Sequence, residues 1–228
     1  MTEEQPASPG SPTPDQAPTK KTKSRAAFWK ELAILVTVAI VVSIVVRTFL
    51  IQTFYIPSGS MEHTLNVNDR VLVNKIVYEF RDPHRGEIVV FEAPQAWREF
   101  SPEKDYIKRV IGTAGDHVVC CDGSGRITVN GFALNEPYLY RDEAGNVDAP
   151  SRDQFDITVP EGRLWVMGDH RSASADSRQH YVRTGDVQIA TIPVDAVVGR
   201  AFVLFWPLGR FTWLSVPETF DGVPAPGG

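Results

Sequence analysis

The segment Arg126-Ile127-Thr128-Val129-Asn130-Gly131-Phe132-Ala133-Leu134 reads as a β-hairpin and sets the fold class for most of the chain. Two short runs of β-branched and aromatic residues flank Asn130-Gly131, the dipeptide best suited to a tight hairpin turn that needs positive φ at both positions. The same pattern spreads outward. Upstream, Arg70–Tyr78, Glu87–Phe91, Asp105–Ile111 and His117–Cys121 are compact apolar runs. Asp82-Pro83-His84-Arg85-Gly86 and Asp122-Gly123-Ser124-Gly125 are turn-formers between them. Downstream, Phe155–Val159, Arg163–Met167 and Ala196–Phe205 continue the series, while polar Tyr140–Arg152 reads as a surface excursion. No helical periodicity is sustained here beyond a short turn near Met61. The expectation is one mostly-β domain of coiled antiparallel sheets over 53–216, closed by a frayed Pro/Gly-rich tail at 217–228.

The first fifty residues follow different rules. Met1–Thr19 holds five prolines among Ser, Thr, Gln and Glu, with little to bury, and is expected to be disordered. Lys20, Lys21, Lys23, Arg25 and Lys30 then form a basic cluster ahead of Leu32–Val46, an apolar run with one Thr and one Ser. Extended to Ile51, about 20 residues make about 30 Å of helix, enough to cross a bilayer, with Arg47 placed to snorkel at one end. A cleaved leader is disfavoured, because about 30 residues precede the run and no small-x-small site follows it. The expected organisation is a cytoplasmic tail over 1–30, a membrane helix over 31–52 and an exported domain. The basic residues before the span hold the N-terminus in the cytoplasm, giving a single-pass cell-membrane protein with its β domain outside.

Composition narrows the function classes. The chain has 228 residues, 23 Lys+Arg against 28 Asp+Glu, and 2 Cys. A net charge of −5 argues against a nucleic-acid binder. Two cysteines exclude a disulfide scaffold. Cys120 and Cys121 are adjacent, a spacing that closes only a strained ring, so two reduced or buried thiols are expected. No His stands at metal-ligand spacing to them, and neither a metal nor a cofactor is expected. Aromatic residues at Phe205-Trp206 and Phe211-Trp213 fit either core packing or an edge lying in lipid headgroups.

Three segments carry chemistry. Phe54-Tyr55-Ile56-Pro57-Ser58-Gly59-Ser60-Met61-Glu62-His63-Thr64-Leu65 sets two serines about a glycine, and its apolar flanks do not suit a linker. Asp105-Tyr106-Ile107-Lys108-Arg109-Val110-Ile111-Gly112 puts a lysine among bulky apolar residues. Burial there would favour the neutral amine, and a pKa moved from ~10.4 to near 8 corresponds to roughly 3 kcal/mol. Gly168-Asp169-His170-Arg171-Ser172-Ala173-Ser174-Ala175-Asp176-Ser177-Arg178 is dense in acids, arginines and serines directly after an apolar strand. It suits a solvated loop or a polar brace.

In this order after an N-terminal anchor, the segments resemble the type I signal peptidases, from the anchor through about Phe211. The resemblance implies a coiled β-sheet catalytic domain and a Ser/Lys dyad, with Ser60 as nucleophile and Lys108 as general base. It further implies Ser58 and the Ser60 amide as oxyanion donors, Ser174 as the serine that orients the lysine, and Asp176 and Arg178 as a structural brace. Phe54, Ile56, Pro57, Met61, Leu65, Tyr106 and Ile107 correspond to substrate-pocket residues. The implied substrates are exported preproteins with small residues at the first and third positions before the cut, and the implied partners are the lipid bilayer and the export machinery. The chain departs from the usual pattern at His63, where the family has Pro, and at His170, Ser172 and Ala173, where it has Asn, Asp and Asn.

The chemistry is coherent on its own terms. A serine hydroxyl needs a neighbouring base, and a neutral lysine can take its proton and return it to the leaving amine. Three other readings stay open: a Ser-His-Asp hydrolase using His63, His117, His170 or His180, a membrane-tethered β domain that binds exported proteins without cutting them, and an exported Ser/Lys autoprotease that processes only itself. Ser58-Gly59-Ser60-Met61 lacks the second glycine of a Gly-x-Ser-x-Gly elbow, which weighs against the first.

Overall fold

A computed structural model describes residues 25–45, 50–100 and 103–227, and the chain separates into two units near Ser43. The first is α1 (Arg25–Val45), a helix of 21 residues. Its window Ala27–Ile44 has a mean hydropathy of 2.0 and no buried share, the length and composition of a membrane span. Residues 1–24, with Lys20, Lys21 and Lys23, and Arg47 lie outside the described residues.

The second unit is built from two antiparallel sheets. The larger runs β1 (Ile51–Tyr55), β2 (Arg70–Asn74), β11 (Val197–Trp206), β3 (Ile88–Glu92), β4 (Asp105–Gly112), β9 (Arg163–Met167) and β10 (Ile192–Pro193), with β12 (Thr212–Trp213) added to β11. The smaller runs β7 (Phe132–Ala133), β6 (Ile127–Val129), β5 (His117–Cys120) and β8 (Phe155–Thr158). Asn130 and Gly131 turn β6 into β7 with φ of 52° and 78°, the paired positive values that the hairpin requires.

Burial explains the strand compositions. The run Ile88-Val89-Val90-Phe91 is apolar throughout because both faces are covered: Ile88 and Val90 join a cluster with Ile56, Met61 and Leu65, while Val89 and Phe91 join one with Trp97, Leu164 and Ile192. In the smaller sheet Phe155 and Ile157 are buried and Asp156 and Thr158 exposed, the alternation of a half-covered strand. Its inner face packs with Ile111, Trp165 and Met167.

Several expectations need correction. The apolar run does not stay helical to 52: Ile51 and Gln52 pair with Asn74 and Val73 in β1. The run therefore serves two elements, and composition alone cannot divide it. The tail at 217–228 is not frayed. Phe220 and Val223 are buried in the core, Asn130 Nδ2 donates to the Pro224 carbonyl at 2.9 Å, and the Asn135 amide donates to Thr219 Oγ1 at 2.8 Å. Cys120 and Cys121 are joined by a disulfide rather than reduced. Of the aromatic residues left open between core and edge, Trp206, Phe211 and Trp213 are exposed. Two short helices, α2 (Ser177–Thr184) and α3 (Val187–Ala190), show no helical periodicity in the sequence, because α2 is polar and α3 is only four residues long. His63, at the centre of a tight turn, adopts φ 83°, a value closed to the proline of the usual pattern.

Candidate active site

Ser60 sits where the chain leaves β1. Ser58 is extended (φ −125°, ψ 157°), and Gly59–Met61 then form one turn of 3-10 helix. Met61 and Ile56 are buried on either side and pin the turn to the core, with the Leu65 amide donating to the Met61 carbonyl at 2.7 Å. Lys108 lies mid-way along β4, held by pairing with Val89 of β3, and is only 4% exposed. Its Nζ is 2.7 Å from Ser60 Oγ and 3.0 Å from the Ile107 carbonyl oxygen.

Burial drives the Lys108 pKa down from 10.5 to about 8, because the charged form loses its hydration. Asp176, Glu103 and Asp169 pull the other way and Arg178 assists, but desolvation dominates. Near pH 8 a large share of Lys108 is therefore a neutral amine with a lone pair for the Ser60 proton. That arrangement can perform general-base activation of a serine nucleophile.

The loop Gly168–Arg178 braces this pair. Asp176 caps the N-terminus of α2 and accepts from Arg178 Nε at 2.9 Å, Arg178 Nη2 at 2.7 Å and the Gly168 amide at 2.9 Å. Burial alone would raise the Asp176 carboxyl. Arg178, the Gly168 amide and the adjacent Ser174 hydroxyl outweigh it and hold Asp176 below the usual carboxylate range. Gly168 is a glycine by necessity, since a Cβ there would overlap both Ser174 Oγ and the Ser60 carbonyl oxygen. Ser174 thus lies beside the backbone of Ser60. The described hydrogen bonds of Lys108 do not include it.

Sequence reasoning missed two further buried ion pairs. Arg109, next to Lys108, makes a two-pronged contact with Asp169 at 2.9 and 2.6 Å, and Thr64 Oγ1 donates to the same carboxylate at 2.5 Å. Arg171 pairs with Glu136 and also donates to the Gly168 carbonyl at 3.0 Å. Residues this polar look solvated in a sequence. Only their number beside an apolar strand hinted that they neutralise one another in the interior.

A cleft of about 230 Å³ opens onto Ser60 and Lys108. Phe54, Ile56, Pro57, Ser58, Tyr106 and Ile107 line it. Met61 and Leu65 do not. Both are fully buried behind the wall and act as core. Tyr55, Val90, Ala173 and Ala175 also line it, with Glu103 and Asp105, and went unpredicted. The histidines stand elsewhere: His117 pairs with Asp156, His180 stacks on Trp97 at 4.2 Å, and His63 is exposed. The His170 ring bonds to the Gly59 carbonyl.

A family model described as signal peptidase, peptidase S26 matches residues 29–206, spanning α1, the cleft and both sheets. The chain belongs to this family of signal peptidases. It is 39% identical over 233 residues to a probable signal peptidase I of Mycobacterium leprae (strain TN), covering 83% of this chain and 80% of the relative. It is 38% identical over 220 residues to the signal peptidase I of Mycobacterium tuberculosis (strain CDC 1551 / Oshkosh), covering 80% and 74%. A crystal structure of a signal peptidase I from Enterococcus faecalis V583 is similar at 27% identity, with a TM-score of 0.39 and coverage of 53% of this chain and 97% of that one.

Proposed function

We propose that this member of the signal peptidase family cleaves signal peptides from preproteins with a Ser60/Lys108 dyad. The observation that carries the reading is the 2.7 Å contact between Lys108 Nζ and Ser60 Oγ, buried at the floor of a cleft, with the lysine pKa brought down to about 8.

In this reading neutral Lys108 takes the Ser60 proton as Oγ attacks the scissile carbonyl. The bond from carbonyl carbon to Oγ forms, and the oxyanion is met by the Ser60 amide and the Ser58 hydroxyl. Collapse breaks the C–N bond, and the lysine ammonium gives its proton to the leaving amine. Water, deprotonated by the same lysine, then hydrolyses the acyl-enzyme and restores Ser60. Ser174 steadies the lysine's surroundings, and Asp176 with Arg178 holds the loop behind it. The shallow wall formed by Phe54, Ile56, Tyr106 and Ile107 suits small apolar side chains of the substrate.

We further assign α1 as a single membrane anchor with the N-terminus in the cytoplasm and the β domain, from Ile51 onward, outside, within reach of the export machinery. Exposed Trp206, Phe211 and Trp213 then form an edge for lipid headgroups. In proteoliposomes, headgroup-level brominated lipid quenches wild-type tryptophan fluorescence more than that of Trp206→Ser/Trp213→Ser, and equal quenching removes this edge. The dyad itself is tested with a peptide bearing an Ala-x-Ala site and the detergent-solubilised full chain. Ser60→Ala and Lys108→Ala each lose at least about 10³-fold in kcat/KM. Retention of most activity by Lys108→Ala contradicts the assignment.

A further inference from the structure

The His170 ring reaches the turn carrying Ser60 from a distant loop, and the mechanism above gives it no task. Its backbone amide donates to the Ser60 carbonyl oxygen at 3.1 Å. Its ring Nδ1 lies 3.1 Å from the Gly59 carbonyl oxygen and 3.1 Å from Glu62 Oε2. Both ring partners are acceptors, so Nδ1 carries the hydrogen. The ring cannot drift off these partners. It stacks on Tyr140 with centroids 3.8 Å apart and planes 16° from parallel, and Asp148 Oδ2 stands 4.0 Å from its other nitrogen. Glu62 completes the enclosure, because its carboxylate folds back over Gly59, where an added Cβ would come within 2.9 Å of it.

We propose that His170 is a positioning residue for the nucleophile: its Nδ1–H clamps the Gly59 carbonyl and the Glu62 carboxylate, fixing the 3-10 turn that aims Ser60 Oγ at Lys108. The inference rests on Ser60 being the nucleophile. A 3-10 turn of three residues has one closing hydrogen bond of its own, here from the Glu62 amide to the Gly59 carbonyl at 3.0 Å. The Gly59 carbonyl therefore receives two donors, and the His170 ring is the one that ties the turn to the loop carrying Ser174 and Asp176. The clamp holds the ground-state geometry of Oγ rather than contacting substrate, so its loss falls on kcat and not on KM.

Asparagine and glutamine separate this role from simple packing. An asparagine amide can put its nitrogen where Nδ1 stands, whereas a glutamine amide mimics the far nitrogen, Nε2. In full-length enzyme solubilised in detergent, His170→Asn keeps kcat within about threefold, while His170→Gln lowers kcat about tenfold to hundredfold at a KM within about twofold, the scale of a misplacement near 1 Å. Thermal melts of both variants accompany the kinetics. Equal losses of kcat in the two variants, a loss confined to KM, or full activity in His170→Gln overturns the clamp. If His170→Gln has no cooperative melt, Glu62→Ala replaces it; a fall in kcat at constant KM supports the clamp, and unchanged kcat overturns it. Ser60→Ala runs alongside: if that variant still cuts, the nucleophile assignment is wrong. An inactive Ser60→Ala beside a fully active His170→Gln refutes the clamp alone.

Discussion

The two sheets of the β domain spend their interiors differently. Around β4 and β9 in the larger sheet, Lys108, Arg109, Asp169, Arg171, Asp176 and Arg178 are all nearly excluded from water. The smaller sheet buries Val118, Cys120, Ile127, Val129, Phe155 and Ile157 on its inner face, with its polar residues turned outward. Each buried ion costs several kcal/mol of hydration and is tolerated only when paired and hydrogen-bonded. The larger sheet therefore carries chemistry at the expense of easy folding, whereas the smaller one is ordinary hydrophobic packing. Lys108 is the informative exception. Its neighbours Arg109 and Asp169 neutralise each other, and Lys108 escapes the cost of burial by giving up its proton near pH 8.

The contrast can be broken at several points. Outside Ser60 and Lys108, the largest effect on cleavage is expected at Gly168→Ala, whose new methyl must displace the Ser60 carbonyl or Ser174; peptide cleavage falls at least about 10²-fold, as misplacement near 1 Å does. Activity near wild type would detach the loop from the nucleophile. Next comes Asp176→Ala, which strands Arg178 in the interior and costs about 3–5 kcal/mol in denaturant unfolding. The milder Asp176→Asn sharpens this point. It removes an anion that favours charged Lys108, so the pH at which activity rises moves below about 8. A midpoint that stays fixed or moves up would show that Asp176 does not act on the dyad.

In the smaller sheet, Ile127→Ala leaves a cavity and costs about 2–5 kcal/mol, yet kcat per folded molecule stays at the wild-type value. Loss of kcat without loss of fold would erase the division between the sheets. The smallest effect is assigned to the Cys120–Cys121 disulfide. It links neighbouring residues and closes almost no loop, so it restricts the unfolded chain very little. Reduction leaves cleavage unchanged and the melting temperature within about 2 °C on the usual scale of ΔΔG to Tm. A large drop in either would give the bond a role the fold does not suggest.

This contrast also explains what was legible in the sequence. In the smaller sheet Asn130-Gly131 announced its turn, whereas the alternating exposure of Phe155–Thr158 was seen only in the structure. Ser60 and Lys108 each stood out within an apolar neighbourhood, but the proposal that they act together came from the resemblance to the type I signal peptidases. Ion pairs such as Arg109–Asp169 and Arg171–Glu136 were not legible, since partners 60 and 35 residues apart leave no local signature. Met61 and Leu65 were assigned to the pocket because sequence cannot separate a wall from what stands behind it. Likewise Phe220 and Val223 looked like tail residues until the fold gave them a core to enter.

The central claim, that a buried neutral lysine activates Ser60, is tested most directly by the pH dependence of kcat/KM for an Ala-x-Ala peptide, measured between about pH 6 and 10, the range that separates histidine from lysine titration. The active form is the unprotonated amine, so activity is lost as pH falls through the Lys108 pKa and gained as it rises. The account predicts a single ascending limb with its midpoint at about 8. An ascending limb centred near ~6.5, the ordinary histidine value, would contradict it.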